Sequence, residues 1–225
     1  PDEFPERPVF INADARLVGF FRRQLDDPLR AGKRIRDTFK CVACNNVSSR
    51  NFQIAGDCVI QSGTWTHPAN SGGASEVEHL KVTVNGNLVI GASGAIDVTG
   101  KGYAAQQGPG AGNNAQRSIS PFPGKAAGYG GQGGYGGGTN AALIYGSIVS
   151  PTNLGSGANS AGGGAVELRV NGIATIDGQI AAQGLSSAQH ATGSGGSIYV
   201  VAGSLDGGGI LDASGDGAGS YWGGG

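Results

Sequence analysis

Two stretches, 86 residues apart, carry the same pattern. Lys81-Val82-Thr83-Val84-Asn85-Gly86-Asn87-Leu88-Val89-Ile90 aligns with Glu167-Leu168-Arg169-Val170-Asn171-Gly172-Ile173-Ala174-Thr175-Ile176. Both read apolar-x-apolar-Asn-Gly-x-apolar-x-apolar. Strict alternation places Val82, Val84, Leu88 and Ile90 on one face of an extended chain, with Lys81, Thr83, Asn87 and Val89 on the other. The Asn-Gly pair can take positive φ and turn a sharp corner.

The frame recurs on both sides. Upstream, Phe52-Gln53-Ile54-Ala55-Gly56-Asp57-Cys58-Val59-Ile60 fits it 30 residues before Val82, and Cys58 falls in line with Leu88 and Ala174. Downstream, Ile198-Tyr199-Val200 begins another copy 30 residues after Leu168, with Gly203 and Leu205 displaced by one. A second short motif follows: Ile96-Asp97-Val98-Thr99-Gly100, Ile180-Ala181-Ala182-Gln183-Gly184 and Leu211-Asp212-Ala213-Ser214-Gly215. Asn-Gly is also a strong hairpin signal. A chain of hairpins explains one copy but not a repeating 30-residue offset with the corner in one place. Stacked coils do, because each buries its apolar face only against its neighbours. The expected fold is therefore all-β, a parallel β-solenoid (β-helix), with an antiparallel β-sandwich as the alternative. Its inner positions would be Phe52, Ile54, Ile60, Val82, Val84, Leu88, Ile90, Ile96, Val98, Leu168, Val170, Ile176, Ile180, Ile198, Val200, Leu205 and Leu211.

Composition divides the chain. Glycine supplies 45 of 225 residues and charged residues only 14%, against usual shares of about 7% and about 25%. Residues 1–60 hold three glycines but 18 charges; the rest hold 42 glycines and 13 charges. Residues 1–50 read as a charged appendage or cap. Leu17, Phe20, Phe21 and Leu25 fall at helical spacing between Asp14 and Pro28. Residues 51–225 read as the glycine-rich repeat, interrupted by an insertion at 104–164 with 18 glycines. That insertion reads either as flexible surface chain or as packed, polyproline-like extended strands whose missing side chains let backbones approach.

Several function classes fall away. A net charge of -1 gives no footprint for nucleic acid, and no apolar run reaches the length of a membrane span. Glycoside cleavage needs clustered carboxylates. Asp97 and Asp212 occupy equivalent repeat positions, but Ala181 interrupts their column. No nucleophile elbow, phosphate loop or calcium loop is present. The chain is read as non-catalytic and without a cofactor. Cys41-Val42-Ala43-Cys44 suits a small disulfide loop in a secreted chain. A zinc site there would need a further ligand such as His67 or His79, and no metal is assigned. Tyr129, Tyr135 and Tyr145 in the insertion are candidate contact residues. The start at Pro1 and the glycine run at 223–225 read as a segment of a longer precursor.

From Trp65 onward the chain resembles glycine-rich β-solenoid segments of large bacterial surface proteins, such as adhesins and autotransporter passengers. The resemblance is carried by Gly63-Thr64-Trp65-Thr66-His67, by Ile96 to Tyr103, by Tyr145-Gly146-Ser147, by Leu154-Gly155-Ser156-Gly157 and by Gly193-Ser194-Gly195-Gly196-Ser197-Ile198. It implies a bacterial, extracellular or cell-surface location. Two functions are then expected. One is a structural segment that self-associates end to end into a fibre. The other is an adhesin or carbohydrate-binding module presenting the Gly/Tyr-rich loop to a carbohydrate or cell surface.

Overall fold

A computed structural model describes residues 9–10, 39–41, 44–48, 51–113, 125–134, 142–186, 191–215 and 225, with side chains from residue 51 onward. The helix expected between Asp14 and Pro28 lies outside the described residues.

The described residues are all-β. Their strands are β1 (Val9–Phe10), β2 (Phe39–Cys41), β3 (Cys44–Ser48), β4 (Asn51–Ile54), β5 (Cys58–Thr66), β6 (Leu80–Val84), β7 (Leu88–Asp97), β8 (Ala165–Ile176), β9 (Gln179–Ala181), β10 (Ser197–Asp206) and β11 (Ile210–Asp212). Every ladder that joins them is parallel, which excludes the antiparallel sandwich.

The pairings sort into three ladders. In the first, β4, β6, β8 and β10 stack Phe52 on Val82, Val82 on Leu168 and Leu168 on Val200. In the second, Cys58 pairs with Leu88, Leu88 with Ala174 and Ala174 with Leu205. In the third, Trp65 pairs with Ile96, Ile96 with Ile180 and Ile180 with Leu211. The 30-residue offset and the alignment of Cys58 thus appear as physical register. The last copy differs from its expected register. Leu168 meets Val200, and Ile198 meets Val166 instead. A bulge between Ala202 and Ser204 then removes one residue of the offset, bringing Leu205 onto Ala174. β2 and β3, from the charged N-terminal part, add to the edge of β5.

One face of each strand from β4 to β9 fills the core. Leu80–Val84 alternates buried and half-buried residues. Ile54, Ile60, Val82, Leu88, Ile90, Ile96, Leu168 and Ile180 form one cluster with Trp65, whose ring lies 4.8 Å from that of Phe52. Branched aliphatic side chains suit such stacked strands. Cys58 is fully buried, and burial pushes its thiol up to about 12. Leu205 and Leu211 depart from the expected inner set. They are 58% and 45% exposed, because no further strand of the described chain covers them.

The Asn-Gly corners work differently from the expectation. Neither Gly86 nor Gly172 has positive φ. Glycine is needed there because the previous corner's side chain fills the space. A Cβ on Gly86 would lie 2.2 Å from Asp57 Oδ1, and one on Gly172 2.3 Å from Asn87 Oδ1. Those oxygens accept the next pass's backbone: Asn87 N–H donates to Asp57 at 2.7 Å, and Ile173 N–H to Asn87 at 2.9 Å. Asn87→Ala should cost about 0.5–1.5 kcal/mol in urea unfolding, the usual net worth of one hydrogen bond.

Over residues 154–164 the glycine-rich insertion packs as backbone against backbone. Gly102 N–H donates to Gly162, Tyr103 N–H to Gly155, Gly155 N–H to Gly163 and Gly163 N–H to Ser194, all at 2.8–3.0 Å. A Cβ on Gly155, Gly162 or Gly163 would fall within 2.2 Å of a neighbouring carbonyl oxygen. Residues 154–164 follow the packed reading, whereas residues 146–150 of the same insertion lie exposed.

Candidate functional site

The loop that leaves β5 and returns as β6 is stapled by Asn70. Its side-chain amide donates to Ser75 O at 3.0 Å, and its oxygen accepts Val77 N–H at 3.0 Å. Held this way, the loop aims Glu76 at the glycine-rich segment. The carboxylate accepts Leu154 N–H at 3.3 Å, the Asn153 amide at 3.3 Å and the Tyr103 hydroxyl at 3.4 Å, and faces His79 Nε2 at 3.2 Å. Burial works to raise the Glu76 pKa. The bonds from His79, Asn153 and Leu154 outweigh it and hold Glu76 below its ordinary range. Burial and the Glu76 charge together push the Tyr103 hydroxyl up to about 12.

Across from this loop, Lys81 and Glu167 are register partners on β6 and β8, with Nζ and Oε2 3.1 Å apart. Arg169 Nε donates to the other oxygen of Glu167, and its guanidinium lies over Tyr199, 5.8 Å from the ring centre. Burial again opposes ionisation of Glu167, and the two cations outweigh it, so its pKa is lowered.

Between the loop and the ladder lies an open cleft of about 450 Å³. Asn51, Glu76, His79, Lys81, Thr152 and Glu167 supply its polar groups. Val77, Ala165 and Val166 supply its apolar wall.

The residues singled out from sequence lie elsewhere. Asp97 and Asp212 do occupy equivalent positions, both in register with Ala181. Each accepts the backbone N–H two residues on, from Thr99 at 2.8 Å and from Ser214 at 3.0 Å, and Asp212 also accepts the Gln183 amide at 2.7 Å. They brace the turn at their strand ends. His67 is fully buried. Its Nδ1–H donates to Pro68 O at 2.7 Å and its Nε2 accepts Ala165 N–H at 3.2 Å, so both nitrogens are committed to backbone. Among the described residues no group of three or more His, Cys, Asp or Glu is placed to hold a metal. The side chains of Cys41 and Cys44 lie outside the described residues, as does Tyr135.

Tyr129 and Tyr145 form a base, not a contact surface. Tyr129 is 6% exposed, and its ring meets that of Tyr145 edge-on at 4.9 Å. The Tyr145 hydroxyl donates to Leu154 O at 2.5 Å and accepts from Ser156 Oγ at 2.8 Å. What projects from this base is aliphatic: Leu143, Ile144, Val149 and Ile148, the last 98% exposed.

Sequence reasoning passed over the cleft. One signal was present: Lys81 and Glu167 stand at one repeat position with opposite charges, which favours pairing across adjacent strands. The approach of Glu76 to Asn153 had none, since 77 residues separate them and neither belongs to the repeat.

Compared with models of known protein families, with curated proteins and with solved structures, the chain matches none.

Proposed function

We propose that this chain is a non-catalytic structural protein of the cell exterior, a parallel β-solenoid segment that stacks end to end on further copies of itself. The three parallel ladders support the solenoid reading. Residues 51–66, 80–97, 165–181 and 197–212 each give one strand segment to every ladder, in sequence order. The resemblance to bacterial surface proteins supports the location.

One observation carries the assembly. Leu205 and Leu211 continue the buried columns of Ala174 and Ile180, yet lie open on the last pass, with Ile210 60% exposed beside them. Such a row joined to a strand edge with no partner on that side among the described strands is a template for another parallel strand. Another copy's terminal strand supplies both the hydrogen bonds and the apolar cover. β1, paired only with β2 among the described strands, offers the opposite edge.

Combining Leu205→Lys with Leu211→Lys tests this. Both side chains are exposed, so the thermal midpoint should hold within about 2–4 °C, equivalent to about 1 kcal/mol in a chain of this size. Sedimentation velocity should show concentration-dependent association of the parent protein and none of the variant. A variant that associates as strongly as the parent would overturn the role of this edge. Tyr129 and Tyr145 pack against each other beneath the aliphatic projection, so an adhesive tyrosine loop is not part of the reading.

A further inference from the structure

We infer that the cleft between the Glu76 loop and the Lys81–Glu167 ladder is a binding site for a neutral saccharide. The inference is independent of end-to-end assembly, because the cleft lies along the first ladder rather than at Leu205 and Leu211.

The size fits a small polar ligand: about 450 Å³ lies within the range of ~300–1,000 Å³ usual for such sites. The rim is fixed before any ligand arrives. Leu154 N–H, the Asn153 amide and Tyr103 hold Glu76, while Lys81 and Arg169 hold Glu167 from two sides. Preorganised polar groups lose little freedom on binding.

The chemistry narrows the ligand class. Lys81 offers donors, the two carboxylates offer acceptors, and Asn51 and Thr152 offer both. A polyol, whose hydroxyls each donate and accept, matches this interleaving. A phosphate or an acidic sugar meets two carboxylates. A bare divalent cation would compete with the partners that Glu76 and Glu167 already have. An aromatic ligand finds only the His79 imidazole among the lining residues, with no Phe, Tyr or Trp face to stack on. Binding, not cleavage, follows from the same groups. Glycoside hydrolysis requires a carboxyl held protonated to serve the leaving oxygen. Both carboxyls are instead shifted toward the ionised form.

The test is titration calorimetry of the full chain with neutral tetrasaccharides built on glucose, galactose, mannose and N-acetylglucosamine, and with a tetragalacturonate. At least one neutral tetrasaccharide should bind, and the galacturonate should bind at least about tenfold more weakly. Lys81→Ala and His79→Ala, both at partly exposed positions, should each weaken neutral binding about tenfold while urea unfolding stays near the parent's. The combined Leu205→Lys and Leu211→Lys chain should bind as the parent does, which separates this site from assembly. Absence of binding by every neutral probe would overturn the inference. So would affinity unchanged in both cleft variants, or release of shorter saccharides from the probe.

Discussion

Gly163→Ala should destabilise the protein by about 3 kcal/mol or more, an unusually large effect for one methyl group. The added Cβ would lie 1.9 Å from Ala182 O and 2.5 Å from Gly196 N, both backbone atoms that cannot swing aside. Gly163 also donates to Ser194 O and accepts from Gly155, so displacing it breaks bonds on both sides. Gly130→Ala and Gly208→Ala are the controls. A Cβ at either meets nothing within 4 Å, and neither residue has positive φ. Both should stay within about 0.5 kcal/mol of the parent. Urea unfolding of the three variants compares a close-packed glycine body with a merely glycine-rich one. Equal stabilities would mean that residues 154–164 do not pack as described.

His67→Leu should cost about 1–3 kcal/mol at pH 8, the penalty for leaving the buried Ala165 N–H without an acceptor. A Cβ on the adjacent Gly164 would lie 2.4 Å from His67 Nε2, so the ring closely fills this junction of loop and strand. Burial lowers the His67 pKa below its ordinary 6.5, outweighing the bond to Pro68 that works to raise it, and the neutral ring is the form that accepts Ala165 N–H. The sign follows from proton linkage. Below pH 6.5 the unfolded chain binds a proton that the folded chain refuses, so stability falls with pH until the folded value is reached. The slope is at most about 1.4 kcal/mol per pH unit for this one group. Above pH 6.5 the contribution is complete. Glu76 acts with the same sign in a lower window, beginning near its ordinary 4.5, so between pH 6.5 and 5 the His67 contribution falls before that of Glu76. His67→Leu should flatten stability across that range. His67→Gln, whose side-chain oxygen can accept Ala165 N–H, should restore part of the stability but not the pH slope.

The repeat was legible because aliphatic side chains record it. Val82, Val84, Leu88 and Ile90 alternate with polar residues, and their matches at Leu168, Val170 and Ile176 fix the register without reference to coordinates. Cys58 could be placed inside for the same reason. The last pass was harder. Val166 and Leu168 are both apolar at even spacing, so a slip of two residues preserves the pattern, and Ile198 was set on the wrong one. At the corners the residue type was right and its cause was wrong. Gly86 and Gly172 make room for Asp57 and Asn87 rather than reversing the chain.

The glycine-rich packing left no such record. Gly155, Gly162 and Gly163 have no side chains, so no periodicity marks which backbone each meets. The cleft was hidden for a related reason. Glu76, His79 and Thr152 come from irregular segments, while Asn51, Lys81 and Glu167 sit at one repeat position. The tyrosines misled because their enrichment among glycines marks a surface contact and an internal brace equally well. For Tyr145 the hydroxyl partners decide between the two, and for Tyr129 its burial does.

Electron microscopy of the purified chain at rising concentration tests the proposed end-to-end stacking most directly. The account predicts unbranched filaments one molecule wide, lost when Leu205 and Leu211 are both replaced by lysine. Single particles of constant size at every concentration would contradict it.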